Sequence, residues 1–376
     1  TDANPTPDIA KYTATISWGD GNITIANSAN GGIVANLGGG FNVLGNHTYS
    51  EEFTGHTFTV VVADSDGATA TASNNNFNVS DPAVVLNASP ITVPAIGEGQ
   101  STATVVVATF TDPGGAEVVG NYTAMIDWGD GTPVSIGTIS YDGGTQLFSV
   151  SGVHTYAEES SNSDHGVGNI GGVFQITSSI THEAAPLTSG VTAIIIVNDL
   201  SVSAIAVNLT ANEGATFTDM AVATFTDPGG AEGLDAYSAT INWGDGSAPT
   251  IGTISFSGGT FTVKGGHTYV EESSANHAGS NPYQVTVTIS HESSTDTVVT
   301  STATVSDPAV DATAVNFNAV EGLSFTKVVA TFTDPGGAED LSDYSATIDW
   351  GDGTPLDVGI IGVGFTVTGT HTYAEE

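Results

Sequence analysis

Four copies of Trp-Gly-Asp-Gly, starting at Trp18, Trp128, Trp243 and Trp350, contain every tryptophan of this chain. They lie 110, 115 and 107 residues apart, the length of one small domain. Each is followed by a His-Thr-Tyr, at His47, His154, His267 and His371. Three are preceded by an identical Thr-Phe-Thr-Asp-Pro-Gly-Gly-Ala-Glu, starting at Thr109, Thr224 and Thr331. A period of this length specifies an array of like modules, each with its own core. Arrays repeat a surface or extend a reach, and seldom repeat a catalytic centre.

The third copy displays the pattern of one module. Residues 201–209 alternate apolar and polar and predict a first strand, turned at Asn212-Glu213-Gly214. A second strand over 217–225 ends at Asp227-Pro228-Gly229-Gly230, where Pro cannot donate to a ladder. Tyr237, Ala239, Ile241 and Trp243 then share one face of a strand, and Ser238, Thr240 and Asn242 the other. Gly244-Asp245-Gly246 supplies a hairpin turn, followed by short strands over 250–256 and 260–264. Tyr283, Val285, Val287 and Ile289 form the clearest alternation of all, and a last strand covers 297–305. Seven short strands separated by turns, with no helical period, predict an all-β fold: a tandem array of antiparallel Ig-like β-sandwich modules.

The repeats divide the chain into modules at 82–198 and 199–307, with a module at 1–81 lacking its first strands and one at 308–376 lacking its last. Thr1-Asp2 aligns with Thr111-Asp112 and Glu376 with Glu159, so we expect a window from a longer repetitive protein. The loop after His-Thr-Tyr varies most in length and is longest at 160–172.

Charge narrows the function classes. Only Lys11, Lys264 and Lys327 are basic, against 41 carboxylates, for a formal net charge of −38. Phosphate neutralisation needs Lys and Arg, so nucleic acid is excluded as a partner, and so is docking on anionic lipid. Such a surface suits a hard divalent cation bound through oxygen, Ca²⁺ first; a merely solvated acidic surface is the plainer reading. Cysteine is absent, so neither disulfides nor thiolate metal sites hold the chain together. No apolar run approaches a membrane span, which predicts no membrane insertion within this segment.

The stretch Thr-Ile-Asp-Trp-Gly-Asp-Gly-Thr-Pro at 347–355, followed by a short strand pair and Gly-Thr-His-Thr-Tyr, resembles the PKD (polycystic kidney disease) domain family. The resemblance touches all four modules. It differs from the common family form in having Trp directly against Gly-Asp-Gly, without two intervening residues. The flanking Thr-Asp-Pro-Gly-Gly-Ala-Glu and His-Thr-Tyr-Ala-Glu-Glu segments are similar to a bacterial sub-group found in very long surface and secreted proteins. The resemblance implies an Ig-like sandwich, an extracellular or cell-surface location, and a role as spacer, adhesion or accessory module. It does not imply catalysis.

Each motif residue has a plain reading beside a functional one. Asp20, Asp130, Asp245 and Asp352 either cap their tight turn through backbone N–H groups or ligate a cation. Trp18, Trp128, Trp243 and Trp350 continue an apolar face and read as core, with a sugar-stacking platform as the alternative. His47, His154, His267 and His371, with Tyr49, Tyr156, Tyr269 and Tyr373, read as a corner whose Tyr hydroxyl bonds backbone rather than as an acid–base pair. No nucleophile elbow or zinc-protease signature is present, so we expect no enzyme activity.

The carboxylates of most interest lie at module ends. Glu98 and Glu213 sit in the first turn, at the end where the chain leaves a module, together with the acidic residues after His-Thr-Tyr. Asp112 and Glu117, Asp227 and Glu232, and Asp334 and Glu339 lie in the Asp-Pro-Gly-Gly-Ala-Glu loops at the opposite end, and Asp81, Asp199 and Asp307 in the linkers. Stacked modules would bring one end to the other. We therefore expect Ca²⁺ at each junction, or within the Asp-Pro-Gly-Gly-Ala-Glu loop, stiffening the array. The function that follows is an extracellular structural or adhesive array, a stalk or filament whose partners are other copies of the chain or neighbouring repeats, and surface polysaccharide or protein. The alternative is a set of polysaccharide- or protein-binding accessory modules of a secreted hydrolase, which predicts exposed aromatics at equivalent positions.

Overall fold

A computed structural model describes residues 8–161, 171–274 and 281–375. The expectations for Thr1-Asp2, for Glu376 and for most of the loop at 160–172 lie outside these residues. The chain divides into two compact units, Thr1–Ile96 with Gln100–Asn198, and Gly97–Gly99 with Asp199–Glu376. Its described residues are all-β, in sheets that are antiparallel apart from the parallel edge pairings of Ile91–Thr92 and Leu209–Asn212, with three-residue 3-10 turns at Ile9–Lys11, Val119–Asn121 and Leu234–Ala236.

In the second unit, Tyr237–Asn242 alternates buried and exposed side chains, as its two-residue period demands. It pairs antiparallel with Tyr283–His291, which pairs in turn with Thr297–Ser306. The facing sheet contains Ser203–Ala206, Phe217–Thr226, Thr260–His267 and Thr253–Ser257 in that order. Inward side chains of the two layers, Val222, Phe225, Phe261 and Val263 against Ile241, Val285, Val287 and Ile289, form one buried core. Burying each of these large groups contributes roughly 1.5–3 kcal/mol. The same chain continues into a five-stranded sheet of Asp311–Ala314, Phe325–Thr333, Thr366–His371, Asp357–Gly362 and Ala346–Ile348, over a smaller core of Phe332, Ile348, Trp350 and Val367.

Two predicted strands divide. The first, expected over 201–209, becomes Ser203–Ala206, antiparallel to Phe217–Thr226, and Leu209–Asn212, parallel to Thr297–Ser306. One continuous strand could serve only one layer, and the sandwich uses this segment to edge both. The strand expected over 250–256 likewise breaks into Thr250–Ile251 and Thr253–Ser257, one in each sheet. The break falls at Gly252, where a Cβ would lie 2.7 Å from Val263 Cγ1. Nine strand segments therefore replace the seven expected.

The first unit holds two cores. One is built on the sheet Ile23–Asn27, Tyr12–Ser17, Phe53–Asp64 and Thr69–Val79, with Ala14, Ile16, Ala26 and Ile33 buried. The other lies inside an eight-stranded sheet in which Ser135–Asp142 pairs with both Tyr122–Asp127 and Leu147–Gly152, joining the layers. Phe110 stacks on Phe148 at 4.7 Å and 6°, and Phe225 on Phe261 at the same distance and angle. Equivalent residues thus build equivalent interiors.

The recurring motif is one linked unit of packing. Each Tyr hydroxyl donates to the Trp carbonyl, at 3.0 Å for Tyr49 and Tyr156 and 3.1 Å for Tyr269 and Tyr373. Each His ring stacks on its Trp, at centroid distances of 5.1, 5.0, 4.8 and 4.7 Å along the chain. The indole also packs onto the glycine two residues before the His. A Cβ at Gly265 would stand 2.6 Å from Ile241 Cδ1 and 2.8 Å from Trp243 Cζ2. Removing the Tyr269 hydroxyl strands a buried carbonyl, so Tyr269→Phe should destabilise the second unit by about 1–3 kcal/mol in urea unfolding. Gly265→Ala should cost a similar ~1–3 kcal/mol through overpacking, and wild-type unfolding curves for both would refute this account of the motif.

Candidate metal centres

The Asp-Pro-Gly-Gly-Ala-Glu loop folds around its own aspartate. Asp112 Oδ1 accepts the Gly114 N–H at 2.7 Å, and its Oδ2 accepts the Tyr122 hydroxyl at 2.6 Å. That hydroxyl in turn accepts the Glu117 N–H at 3.2 Å. The arrangement recurs with Asp227, Gly229, Tyr237 and Glu232, and again with Asp334, Gly336, Tyr344 and Glu339. The aspartate carboxylate and the backbone at the glutamate are thereby held in place, with carboxylate lone pairs left over.

Around this loop the first unit gathers Asp81, Asp112 and His182 into one group, and Glu51, Glu52 and Glu117 into another. His182 is 2% exposed and stacks on Tyr122 at 4.1 Å, because the two face each other across paired strands. Its Nδ1 lies 3.1 Å from Asp81 Oδ2 and 3.4 Å from Asp112 Oδ2, and its Nε2 lies 3.2 Å from Glu117 Oε2. Neither ring nitrogen reaches hydrogen-bond geometry. Burial, and the neighbouring carboxylates of Asp112, Glu52 and Glu117, push the Asp81 carboxyl up against the opposing pull of His182.

Within the second unit the same loop gathers Glu98, Asp199 and His291, and Asp227, Glu232 and His291. Asp199 Oδ2 accepts the Ser293 and Ser294 N–H groups at 2.8 and 2.6 Å, which leaves Oδ1 at 3.0 Å from His291 Nδ1. His291 Nε2 stands 3.3 Å from Glu232 Oε2. Burial works to lower the His291 pKa, but the hydrogen bond with Glu232 and the charges of Asp199, Asp227 and Glu232 raise it overall.

Glu98 is fully buried. Its Oε1 accepts the Leu200 N–H at 2.9 Å, while Oε2 has no hydrogen-bond partner. Burial first, and then the charges of Asp199, Glu232 and Asp227, push its pKa up to about 8. A Cβ on Gly229 would fall on the Glu98 carboxylate, so the first glycine of this loop is the cradle in which that carboxylate rests.

A third group, Glu213, Asp307 and Asp334, repeats the arrangement with oxygen ligands alone. Glu213 is 1% exposed with Oε2 unpartnered, and its carboxylate occupies the space a Cβ on Gly336 would need. Burial, followed by Asp307, Glu339, Glu272 and Asp334, pushes its pKa up to about 7. Glu339 and Asp307 are raised too, burial first in each case.

Nine of the ten sequence candidates thus sit in these groups: Asp112 and Glu117 in the first unit, then Glu98, Asp199, Asp227 and Glu232, then Glu213, Asp307 and Asp334. Glu339 stands beside the last group as one of the charges acting on Glu213. His182 and His291 escaped the sequence reading. The signal was there in a second recurring pair, Thr181-His182-Glu183 and Ser290-His291-Glu292, each opposite a strand-initial tyrosine.

The motif carboxylates are arranged differently. Asp130 Oδ1 accepts the Thr132 N–H at 3.1 Å and Oδ2 meets His154 Nε2 at 2.6 Å, and Asp20, Asp245 and Asp352 make the equivalent contacts. The Asn22 side chain first for Asp20, and the Thr354 hydroxyl first for Asp352, together with the His and backbone bonds, hold these two carboxyls down at about 2. Turn capping and a His partner satisfy these groups without an ion.

No family model matches the chain, and no curated protein matches it. Among solved structures it is similar to a tetra-tandem repeat from the extending region of a large adhesion protein, at 14% identity over 99% of this chain and 85% of that one, with a TM-score of 0.38. It is also similar to extracellular domains 3–6 of protocadherin gammaB7 in a cis-dimer, at 13% identity over 98% and 86% with a TM-score of 0.29. The human desmocollin-1 ectodomain matches at 12% identity over 83% of this chain and 58% of that one, with a TM-score of 0.25.

A metal-free chain should respond to pH in a defined sense. Glu98 and Glu213 hold protons in the folded state that the unfolded chain gives up near pH 4.5. The stability they contribute is fully present below that pH and is lost as pH rises through 7 to 8. Thermal denaturation in chelator should therefore show a falling midpoint between pH 5 and 8, and Glu98→Gln with Glu213→Gln should flatten the slope. A midpoint that holds or rises over that range would contradict the assignment.

Proposed function

We propose that the chain is a stretch of extracellular, non-catalytic structural or adhesive array, of the kind found on bacterial surfaces, in which Ca²⁺ ties successive PKD-type modules together. The modules are those bounded at 81/82, 198/199 and 307/308, two complete and two partial. The observation that carries this reading is the pair of buried carboxylates, Glu98 and Glu213, each with an unpartnered oxygen directed into a group containing a linker aspartate. Keeping such a carboxyl charged without a partner is costly, which is why both hold protons in the metal-free chain. A hard dication accepting six to eight oxygens removes that cost.

The residues fit such an ion. Glu213, Asp307 and Asp334 supply carboxylate oxygen alone, and Glu98 and Asp199 do the same beside Asp227 and Glu232. The ion would supply charge neutralisation. The chain's own part is to draw ligands from both sides of a linker, so that binding holds the linker to the repeats it joins. A row of such links makes a stalk or filament whose stiffness depends on calcium, with other copies or neighbouring repeats as its partners. The accessory-module alternative needs exposed aromatics at equivalent positions, whereas Trp128, Trp243, Phe148 and Phe261 are buried in their cores.

Titration calorimetry of the chelator-treated chain should find one Ca²⁺ at the Glu98 and Asp199 oxygens and one at Glu213, Asp307 and Asp334. Saturation to a hundred times Kd should stabilise the fold by about 2.7 kcal/mol per site. Small-angle scattering should show an extended particle that loses rigidity on chelation, and Glu213→Gln should remove one ion. Fewer than these two ions, or scattering indifferent to calcium, would leave a passive acidic spacer.

A further inference from the structure

Calcium takes oxygen, yet two of the groups have an imidazole at their centre. We propose that His182 with Asp81 and Asp112, and His291 with Asp227 and Glu232, form a second kind of subsite that takes a first-row transition dication of the Zn²⁺ class in preference to Ca²⁺. The proposal rests on the reading of these groups as cation sites and adds a second ion of different chemistry to it.

The first argument is the state of His182. It is almost fully buried, and carboxylate oxygens stand 3.1–3.4 Å from its two nitrogens without hydrogen-bond geometry to either. A neutral imidazole has one N–H and one lone pair, and a lone pair set against a carboxylate is repulsive. A dication shared between them reverses the sign. Imidazole with carboxylates is a donor set for Zn²⁺ and its neighbours, whereas Ca²⁺ is served by oxygen.

The second argument is support behind the ligands. Tyr122 stacks on His182 at 11° and donates its hydroxyl to Asp112, and Asn121 Nδ2 donates to Glu117 Oε2 at 2.7 Å. Tyr237 repeats the stack on His291 at 13° and the bond to Asp227. Outer contacts of this type orient ligands and tune their basicity.

Charge gives the third. Glu98, Asp199, Asp227 and Glu232 bring four carboxylates around one imidazole. One dication leaves such a group negative, and two balance it.

The fold does not require histidine at this position. Tyr12 opens its strand in the first repeat as Tyr122 and Tyr237 do in theirs, and the residue opposite it is Asp64, where they face His182 and His291. A sandwich that accepts aspartate there has no packing need for an imidazole.

The test uses the whole chain, stripped by chelator and equilibrated with Zn²⁺ in millimolar Ca²⁺, with both metals counted by mass spectrometry. Two Zn²⁺ per chain are expected to stay bound in the presence of Ca²⁺. His182→Gln and His291→Gln should each lose one Zn²⁺ and keep their Ca²⁺. Co²⁺ added to the wild-type chain should give visible absorption of nitrogen-ligated metal, a readout that needs no variant. Absence of Zn²⁺, its displacement by Ca²⁺, or retention by both variants would overturn the subsite. Zn²⁺ binding without Ca²⁺ would instead overturn the calcium reading and leave this one standing.

Discussion

A carboxylate taken out of water must be matched by a hydrogen bond, a positive charge or a proton, and the anatomy of this chain follows from how its carboxylates meet that demand. With three lysines against 41 carboxylates, the sequence has almost no cationic side chains to offer. Two solutions recur. In the Trp-Gly-Asp-Gly turn the aspartate takes a backbone N–H and a histidine that stacks on the tryptophan, and nothing remains open. In the groups near the linkers, Glu98 and Glu213 are buried with an oxygen left over.

That contrast separates two environments for the carboxyl group. The satisfied aspartates hold a hairpin whose carbonyl also receives the Tyr hydroxyl, so turn, indole and corner form a rigid block. The open carboxylates are grouped instead with Asp199 and Asp307. On the function proposed above, carboxyls placed there make the linker's conformation answer to dissolved cations.

Legibility in the sequence tracked the range of the interaction. The Tyr237-Ala239-Ile241-Trp243 face could be read because a strand's period is local. The division at Gly252 could not, since it depends on Val263, which packs there only once the sheets are assembled. The ten acidic candidates were readable because they recur at fixed places in the repeat. His182 and His291 were not singled out, because their placement comes from facing Tyr122 and Tyr237 across a ladder, 60 and 54 residues away in sequence. The burial of Glu98 was equally invisible, since a glutamate in a turn reads as solvated until a glycine more than a hundred residues away leaves room for it.

The sequence by itself determined the array, the β-period of each strand, the turns and the excess of negative charge, all of which are encoded by neighbours or by repetition. Only the tertiary structure decided which carboxylates lose their water and which find partners. Burial is a property of surfaces brought together from distant segments, and the chemistry of a carboxylate is set by that burial more than by its place in the chain.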